Sequence, residues 1–230
     1  PIVVFGTGEQ KAKWIPPLVK GEQKCSFGVT EPNAGLDTTS ISTFAEKVDG
    51  GWIVNGRKIW NSTAQIVDRI MLLARTTKRE DVNKSTDGIS LFYTEFDRSR
   101  IETQRISKMG RKAVDSNMLF IDDLFIPDGD LIGEEGRGFH YILHSMNPER
   151  IMVGAEGVGI GQDALRRASD YAVEREIFGR PIGQNQGIQH PLAENWMELQ
   201  AAELMVMKAA NLYDTGQPCG AEADAAKFLG

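Results

Sequence analysis

The hydrophobic and polar positions of the chain follow a strand-like pattern between Cys25 and Pro127. Short apolar runs in this region are separated by Gly, Asn, Asp and Lys, which is typical of strands and turns. In residues 118–126 (MLFIDDLFI), apolar and polar positions alternate as in an antiparallel strand with one buried face, and Pro127 should end it. Residues 49–51 (DGG) lie between two β-prone runs and predict a hairpin. We therefore expect a small antiparallel barrel or sandwich.

After Gly136 the apolar positions change to helical spacing. The pattern predicts one helix from Pro148 to Glu176 and another from Pro191 to Tyr213, joined by the Gly- and Pro-containing segment 178–187 (FGRPIGQNQG). These should be two long antiparallel helices of a bundle. The predicted fold class is therefore α+β, an antiparallel β-barrel or sandwich followed by long helices.

Three glycines, Gly154, Gly157 and Gly161, recur at spacings of three and four along the first predicted helix. Glycine in a helix costs about 1 kcal/mol relative to alanine, so something must approach the backbone to offset it. We expect another helix to pack closely along this stripe.

Composition narrows the possible functions. A chain of 230 residues with 41% hydrophobic content can bury one large core or two smaller ones. Its formal charge of −6 and sequence pI near 5.2 argue against nucleic acid as the main partner. No apolar run approaches the ~20 residues needed to span a bilayer. Cys25 and Cys219 lie far apart, which favours free thiols in a reducing compartment. The three histidines have no acidic or cysteine partners at ligand spacing, so we predict no metal site.

Two segments place polar side chains beside an aromatic ring. The first, FGVTEPNAGLDTTS, contains Thr30 and Pro32, and the second, KIWNSTAQ, contains Trp60, Ser62 and Thr63. Backbone amides and hydroxyls beside a tryptophan suit a flat heteroaromatic ring that both donates and accepts hydrogen bonds. Taken alone, however, the two segments are more simply explained as an ordinary turn and a core tryptophan.

Glu149 is the carboxylate with the most distinctive position. Asn147 is a suitable N-cap and Pro148 is favoured at the first helical position, so we expect Glu149 in the first turn of its helix. The helix dipole favours a carboxylate there. By itself this placement requires no function, because acidic residues are common in first turns.

Five segments of the sequence, taken in their order along the chain, favour the functional explanation over the purely structural one. The sequence closely resembles the acyl-CoA dehydrogenase family over nearly its whole length, and the segments that carry the resemblance are FGVTEPNAGLDT, VNGRKIWNST, IGEEGRGF, NPERIMVGAEGVG and VEREIFGRPIGQNQGIQH. The resemblance implies that residues 1–22 are the tail of an N-terminal helical domain, 23–133 the middle β-domain, and 134–230 the start of a C-terminal helical bundle. We therefore expect the chain to be a piece of a longer protein.

The resemblance also implies an FAD site in the β-domain. Phe27, Val29 and Thr30 match the strand and turn that hydrogen-bond the flavin ring. Trp60 matches the residue that covers the ring, and Ser62 conservatively replaces the threonine that approaches flavin N5.

Gly35 matches a position beside the substrate thioester and the ribityl-phosphate chain of FAD. Leu36 replaces the serine that commonly follows, so only its backbone amide is expected to serve there.

Three residues at the end of the first predicted helix and in the segment that follows it match contacts to the FAD of a neighbouring subunit. Arg175 and Phe178 match residues that reach the pyrophosphate and adenine, and Gln186 matches a nearby adenine contact. A guanidinium fork suits paired phosphate oxygens. From its position alone, Arg175 at a helix C-terminus is equally well explained by the helix dipole and the end carbonyls.

In this family the catalytic base lies either late in the C-terminal helices or on the first helix of the bundle. Glu149 directly precedes the family arginine, Arg150, and so matches the second location; Arg150 matches a residue that helps to hold the CoA arm. Glu156 is the competing carboxylate, because at i+7 it lies on the same helix face two turns on.

The function implied by the resemblance is FAD-dependent α,β-dehydrogenation of an acyl-CoA thioester. It implies electron-transfer flavoprotein as electron acceptor, a homodimer or homotetramer, and a bacterial cytoplasmic or mitochondrial matrix location. Two alternatives stay open: an acyl-CoA oxidase or flavin monooxygenase of the same fold, and a non-catalytic CoA-binding module.

Overall fold

The computed structural model describes all 230 residues and has the predicted α+β class. The chain divides into two compact units, Pro1–His144 and Ser145–Gly230. No helix is long and apolar enough to cross a membrane, and no group of three or more His, Cys, Asp or Glu side chains is arranged to hold a metal ion.

The first unit contains two short helices and seven strands. They are α1 (Ile2–Phe5), α2 (Gly8–Val19), β1 (Cys25–Gly28), β2 (Phe44–Val48), β3 (Gly51–Ser62), β4 (Arg69–Arg75), β5 (Ile89–Glu95), β6 (Ile101–Ile106) and β7 (Ser116–Pro127). The long helix α3 (Gly138–Glu174) begins in this unit. The second unit continues with a small hairpin and two helices, β8 (Glu176–Ile177), β9 (Arg180–Pro181), α4 (Gln186–Asp214) and α5 (Gly220–Leu229).

The seven strands form one sheet in the order β1-β4-β2-β3-β7-β6, with β5 paired to β4. The predicted hairpin is confirmed, since β2 and β3 are antiparallel and Val48 pairs with Gly51. The sheet is antiparallel as predicted except along one side of β4, which pairs in parallel with β1 and, at one position, with β2. The β2–β3 hairpin lies between β1 and β4 in sequence, and the chain returns from it so that β4 runs in the direction of β1.

Strand β4 (RIMLLAR) is buried on both faces, which explains why its sequence is continuously apolar. Alternate residues enter different cores: Ile70 and Leu72 belong to one hydrophobic cluster, and Met71 and Leu73 to the other. The second cluster is completed by α2, whose Trp14 ring lies 5.0 Å from the Tyr93 ring in an edge-on arrangement. The first unit is therefore built around one strand with two cores.

Helix α3 begins ten residues before the predicted start at Pro148, which lies inside it. Tyr141 and Ile142 are buried in the second core, so tertiary packing extends the helix beyond the local proline signal. Helix α4 likewise begins at Gln186 and contains Pro191. A proline removes one backbone donor, and both helices continue through that loss.

The glycine stripe of α3 packs as predicted. A Cβ added to Gly154 would lie 2.6 Å from the Ala226 carbonyl oxygen of α5, and one added to Gly161 would lie 2.5 Å from a Leu199 methyl carbon of α4. The helices enclose a core of Ile151 and Val158 from α3, Ala202, Val206 and Ala209 from α4, and Ala223 and Ala226 from α5. Alanines and glycines let these backbones approach closely.

Replacement of Gly154 by alanine should destabilise the 230-residue chain by about 1–3 kcal/mol, the usual cost of overpacking, because the new methyl group meets backbone rather than a movable side chain. Gly159→Ala is the matched control on the same helix, since a Cβ there meets nothing within 4 Å. It should stabilise by up to about 1 kcal/mol through helix propensity. Urea denaturation followed by circular dichroism measures both; equal effects of the two substitutions would contradict the packing.

Candidate functional site

The structure brings five of the predicted residues together at one end of the sheet, where the chain leaves β1 and β3 ends. This rim comprises Phe27, Val29, Thr30, Trp60 and Ser62. Three hydrogen bonds join its two sides: the Ile59 amide donates to the Thr30 carbonyl at 2.9 Å, Asn61 Nδ2 to the Phe27 carbonyl at 2.9 Å, and Ser26 Oγ to the Ser62 carbonyl at 2.9 Å.

Trp60 lies on a bulge in β3, where the register with β7 shifts between Ile59 and Asn61. Its φ is +65° and its side chain is 58% exposed, in contrast to the core tryptophan that its position in a strand suggests. Bulges next to binding sites redirect side chains. Thr63, a β-branched residue, has φ +61°, and strain of this kind is concentrated at functional sites.

Asn61 lies between Trp60 and Ser62 and is completely buried. Besides its bond to Phe27, its carbonyl accepts a hydrogen bond from Asn117 Nδ2 at 2.9 Å, and Asn117 Oδ1 accepts one from Gln65 Nε2 at 2.8 Å. These amides fix the backbone beneath Trp60. The sequence analysis did not identify these amide side chains. The sequence feature that could have indicated them is a polar residue, Asn61, at an inward-facing position of a strand.

Sequence reasoning also missed the ion pair behind the rim. Lys58 Nζ lies 2.8 Å from Glu31 Oε1, and both side chains are almost fully buried. Lys58 also donates to the Val29 carbonyl at 3.0 Å. Glu31 further accepts hydrogen bonds from the amide and hydroxyl of Ser42 and from the Thr43 amide. The pair therefore links β3 to the segment that leaves β1.

Burial raises the pKa of Glu31, but the Lys58 charge and the hydrogen bonds from Lys58, Thr43 and Ser42 outweigh it, so the pKa falls from 4.5 to about 2. For Lys58, burial dominates over the attraction of Glu31 and lowers the pKa from 10.5 to about 8. Near pH 7 the pair is ionised on both sides.

Gly35 and Leu36 lie on the exposed loop that follows Glu31. A Cβ added to Gly35 meets nothing within 4 Å, so packing within the chain does not require glycine there. The Leu36 side chain is fully exposed. The Arg75 guanidinium anchors the far side of this loop by donating to the Ile41 carbonyl at 3.2 Å.

The structure corrects the prediction for Glu149. Because α3 begins at Gly138, Glu149 is an interior residue of the helix and not part of its first turn. The helix dipole acts within the first turn and therefore does not support its charge. Asn147 is not an N-cap either; its Oδ1 accepts a 3.4 Å hydrogen bond from Arg150, whose Nε also lies 3.2 Å from Asp224 Oδ1. Glu149 itself is exposed.

Arg175, Phe178 and Gln186 lie at the end of α3 and the adjoining hairpin. Phe178 and Gly179 form the turn between β8 and β9 with φ of +55° and +73°, and the Phe178 side chain is fully exposed. Arg175 directly follows α3, and Gln186 is the first residue of α4. From Glu149 to the end of α3 the helix rises about 37 Å, so these residues lie far from Glu149 within the second unit.

Comparison with known proteins places the chain in a family. The model of the acyl-CoA dehydrogenase middle domain matches residues 26–124, and that of the acyl-CoA dehydrogenase C-terminal domain matches residues 136–230. The chain therefore belongs to the acyl-CoA dehydrogenase family.

Individual proteins agree with this assignment. An acyl-CoA dehydrogenase of Bacillus subtilis is 37% identical over 228 residues, which cover 99% of this chain and 59% of that protein. Butyryl-CoA dehydrogenase from Megasphaera elsdenii superposes with a TM-score of 0.92 at 35% identity, over 100% of this chain and 59% of that one. The FAD complex of PigA superposes with a TM-score of 0.91 at 30% identity, over 98% and 58%. The chain thus spans somewhat less than three fifths of the length of these proteins.

The rim presents the chemical groups that a flat heteroaromatic ring, such as that of a flavin, requires. Trp60 and Phe27 expose 58% and 38% of their surface on it, and large exposed aromatic groups beside fixed backbone are typical of binding sites. Trp60 supplies a flat face, while Thr30 and Ser62 supply hydroxyls of the kind that hydrogen-bond heteroaromatic rings.

We predict that the free energy of unfolding at acid pH depends strongly on the ion pair between Glu31 and Lys58. The folded pKa of Glu31 lies below its unfolded value, so the contribution is present above about pH 4.5 and is lost as the pH falls towards 2. The expected loss is about 3 kcal/mol, since a tenfold change in proton affinity corresponds to about 1.4 kcal/mol. Urea denaturation at several pH values should show a flatter dependence between pH 5 and 2.5 for Glu31→Gln than for the wild type.

Glu46→Gln on β2 is the control for this experiment, because Glu46 is an exposed carboxylate in the same sheet; it should keep the wild-type dependence. Since Glu31→Gln leaves a buried cation unpaired, the double variant Glu31→Gln/Lys58→Met should recover stability at neutral pH while keeping the flat profile. A steep acid profile in the double variant would show that other carboxylates are responsible.

Proposed function

We propose that the protein catalyses FAD-dependent α,β-dehydrogenation of an acyl-CoA thioester, as in fatty-acid β-oxidation. The observation that carries this proposal is the rim, on which an exposed tryptophan is held on a strained bulge beside the β1 exit in a member of the acyl-CoA dehydrogenase family. Phe27, Val29 and Thr30 would hydrogen-bond the flavin ring, Trp60 would cover it, and Ser62 would stand beside N5. Bound FAD would supply a hydride acceptor for the substrate β-carbon.

Glu149 is the proposed general base, which removes the acidic proton next to the thioester carbonyl. The exposure of Glu149 and the neighbouring Arg150 support this role, because a base must reach a bound substrate. Arg150 is oriented by Asp224 and Asn147 and would hold the CoA arm through its remaining donors. Gly35 and the Leu36 amide would lie beside the thioester and the ribityl-phosphate chain.

Arg175, Phe178 and Gln186 are proposed to contact the FAD of a neighbouring subunit. Two observations support this proposal. A distance of about 37 Å along α3 separates these residues from Glu149, and the Phe178 ring is fully exposed. A homodimer or homotetramer would follow, since closed symmetry is the usual arrangement for shared sites. Electron-transfer flavoprotein is the proposed acceptor. The two free cysteines suit a reducing compartment such as bacterial cytoplasm or mitochondrial matrix.

The function is tested by anaerobic titration of the full-length holoprotein with acyl-CoAs of different chain length and branching. At least one acyl-CoA should bleach the flavin absorbance. Full-length protein that carries no flavin would support a non-catalytic CoA-binding module. Rapid reoxidation of the reduced flavin by oxygen would instead indicate an acyl-CoA oxidase or flavin monooxygenase.

In the same assay, Glu149→Gln should still bind FAD and acyl-CoA while flavin reduction slows by at least ~10² to 10⁴-fold, the usual contribution of a general base. Glu156→Gln, two turns further along α3, is the matched control and should reduce at close to the wild-type rate. Stopped-flow spectroscopy measures both. Wild-type reduction by the Glu149 variant would place the base elsewhere, and a slow Glu156 variant alone would identify the competing carboxylate.

Arg175→Ala in the full-length protein should weaken FAD binding about 10- to 100-fold, because charge-assisted hydrogen bonds are worth roughly 1.5–3 kcal/mol. Arg167→Ala, an exposed arginine of α3 paired to Asp163, should leave FAD affinity unchanged. Sedimentation should show a dimer or tetramer for all three proteins. A monomer fully loaded with FAD would contradict the shared site.

A further inference from the structure

One buried arginine holds two loops of the first unit. Arg75, the last residue of β4, is 3% exposed. Its Nε donates to the Ile41 carbonyl at 3.2 Å and its Nη2 to the Thr39 carbonyl, both in the loop between β1 and β2. Nη2 and Nη1 also donate to the Ser85 and Asp87 carbonyls, at 3.0 and 3.2 Å, in the loop between β4 and β5. We call these four hydrogen bonds the Arg75 clamp.

The Arg75 clamp fixes backbone positions, because all four of its acceptors are main-chain carbonyls. Hydrogen bonds from a charged donor are shorter and stronger than neutral ones. The planar guanidinium has five donors in a rigid fork and can bind several carbonyls at once, whereas a lysine ammonium is a compact group with three donors. Arginine at this position therefore fixes the two loops relative to each other as well as the path of each.

The first of these loops carries Gly35 and Leu36, and it is held on both sides of them. Before them, the backbones of Glu31 and Ala34 pair with each other, and the Glu31 side chain is buried. After them, the Arg75 clamp fixes the chain. Between these anchors, a Cβ added to Gly35 would meet nothing within 4 Å, and the Leu36 side chain is fully exposed. The position of these two residues therefore depends on the anchors and not on packing of their own.

We propose that Arg75 is a positioning residue for the acyl-CoA substrate, because its clamp holds Gly35 and the Leu36 amide in their binding position before the substrate arrives. The inference rests on the proposed function, in which these two residues lie beside the thioester. Arg75 acts through the backbone of the loop. A loop that is ordered in advance strengthens binding, since the apparent Kd rises in inverse proportion to the fraction of molecules whose loop is competent to bind.

The test uses Arg75→Ala in the full-length holoprotein, with excess FAD and an acyl-CoA that bleaches the wild-type flavin. In anaerobic stopped flow, the acyl-CoA concentration that gives half the limiting rate of flavin reduction should rise about tenfold, as expected when about a tenth of the molecules have a competent loop. The limiting rate itself should stay within about twofold of the wild type, which is the pattern of a lost binding contribution. The hydrogen bonds of the clamp involve neither Glu149 nor the rim.

Added methylguanidinium should restore the wild-type concentration dependence of Arg75→Ala, because it can enter the site that the missing guanidinium leaves. Sodium chloride at the same ionic strength should not. This rescue separates the role of the clamp from a general loss of stability, which a guanidinium compound would not repair.

Arg69→Ala is the matched control, since Arg69 is a largely buried arginine at the opposite end of the same strand. Its Nη2 donates to the Tyr93 carbonyl and to Asp130 Oδ2, and neither acceptor belongs to the two clamped loops. The substitution should lower stability in urea and leave the acyl-CoA dependence of flavin reduction unchanged.

Arg75→Lys carries the test if Arg75→Ala does not fold, because it keeps the positive charge and loses the fork. It should show a smaller rise in the half-saturating acyl-CoA concentration than Arg75→Ala. Hydrogen exchange measured by mass spectrometry should be faster in both clamped loops of Arg75→Lys and in neither loop of Arg69→Ala, since exchange reports local opening.

The proposal is overturned if the Arg75 variants keep the wild-type acyl-CoA dependence, if Arg69→Ala changes it equally, if only the limiting rate falls, or if methylguanidinium has no effect. Failure of every acyl-CoA to bleach the wild-type flavin would overturn the proposed function instead. Hydrogen exchange in the two loops does not depend on that reaction, so the two failures can be told apart.

Discussion

The geometry of the rim depends on the buried ion pair between Glu31 and Lys58. One ammonium group of β3 contacts both the Glu31 carboxylate and the Val29 carbonyl, so a single cation holds two points of the segment that leaves β1. Burying two charges costs several kcal/mol per ion, and a well-packed apolar pair would often stabilise a fold as well. An apolar pair would not hold a backbone carbonyl. The bonds that Glu31 accepts from Ser42 and Thr43 offset part of the cost and extend the anchoring to the loop before β2.

This anchoring explains how the strain beside it persists. Trp60 and Thr63 both have left-handed backbone conformations, which cost of order 1–3 kcal/mol each and survive only where surrounding contacts over-determine them. Those contacts are two hydrogen bonds. The Ile59 backbone amide donates to the Thr30 carbonyl, and the buried side-chain amide of Asn61 donates to the Phe27 carbonyl. The strain and its supports together present the Trp60 ring outward from a strand whose preceding residues are part of the core. A tryptophan in an unbulged strand at this position would have one of only two directions, and register would decide which.

Local sequence patterns predicted the features that local forces determine. The β2–β3 hairpin and the close packing at Gly154 followed from residue types and spacing. The residues of the rim were brought together by the family resemblance, because a turn and a tryptophan thirty residues apart carry no local signal of contact. The Glu31–Lys58 pair was missed for the same reason. The start of α3 was misplaced because Pro148 is a local signal, whereas the burial of Tyr141 and Ile142 is a tertiary effect that outweighs it. The parallel pairing of β1 with β4 likewise depends on topology.

The length of α3 constrains how the proposed sites are assembled. Glu149 and the end of α3 belong to one rigid helix, so the separation of about 37 Å between them cannot be closed by side-chain motion. If Glu149 lies at one cofactor, Arg175 must contact either a second cofactor or a distant part of the same extended cofactor. In a twofold dimer, Arg175 of each chain can contact the cofactor in the site of the other chain. Symmetry then makes the same contact twice. Helix α3 continues through Pro148 as one stiff element. In such a dimer, each α3 would fix the distance between Glu149, the proposed base of one site, and Arg175, the proposed phosphate contact of the other site. The two sites would thereby be coupled geometrically.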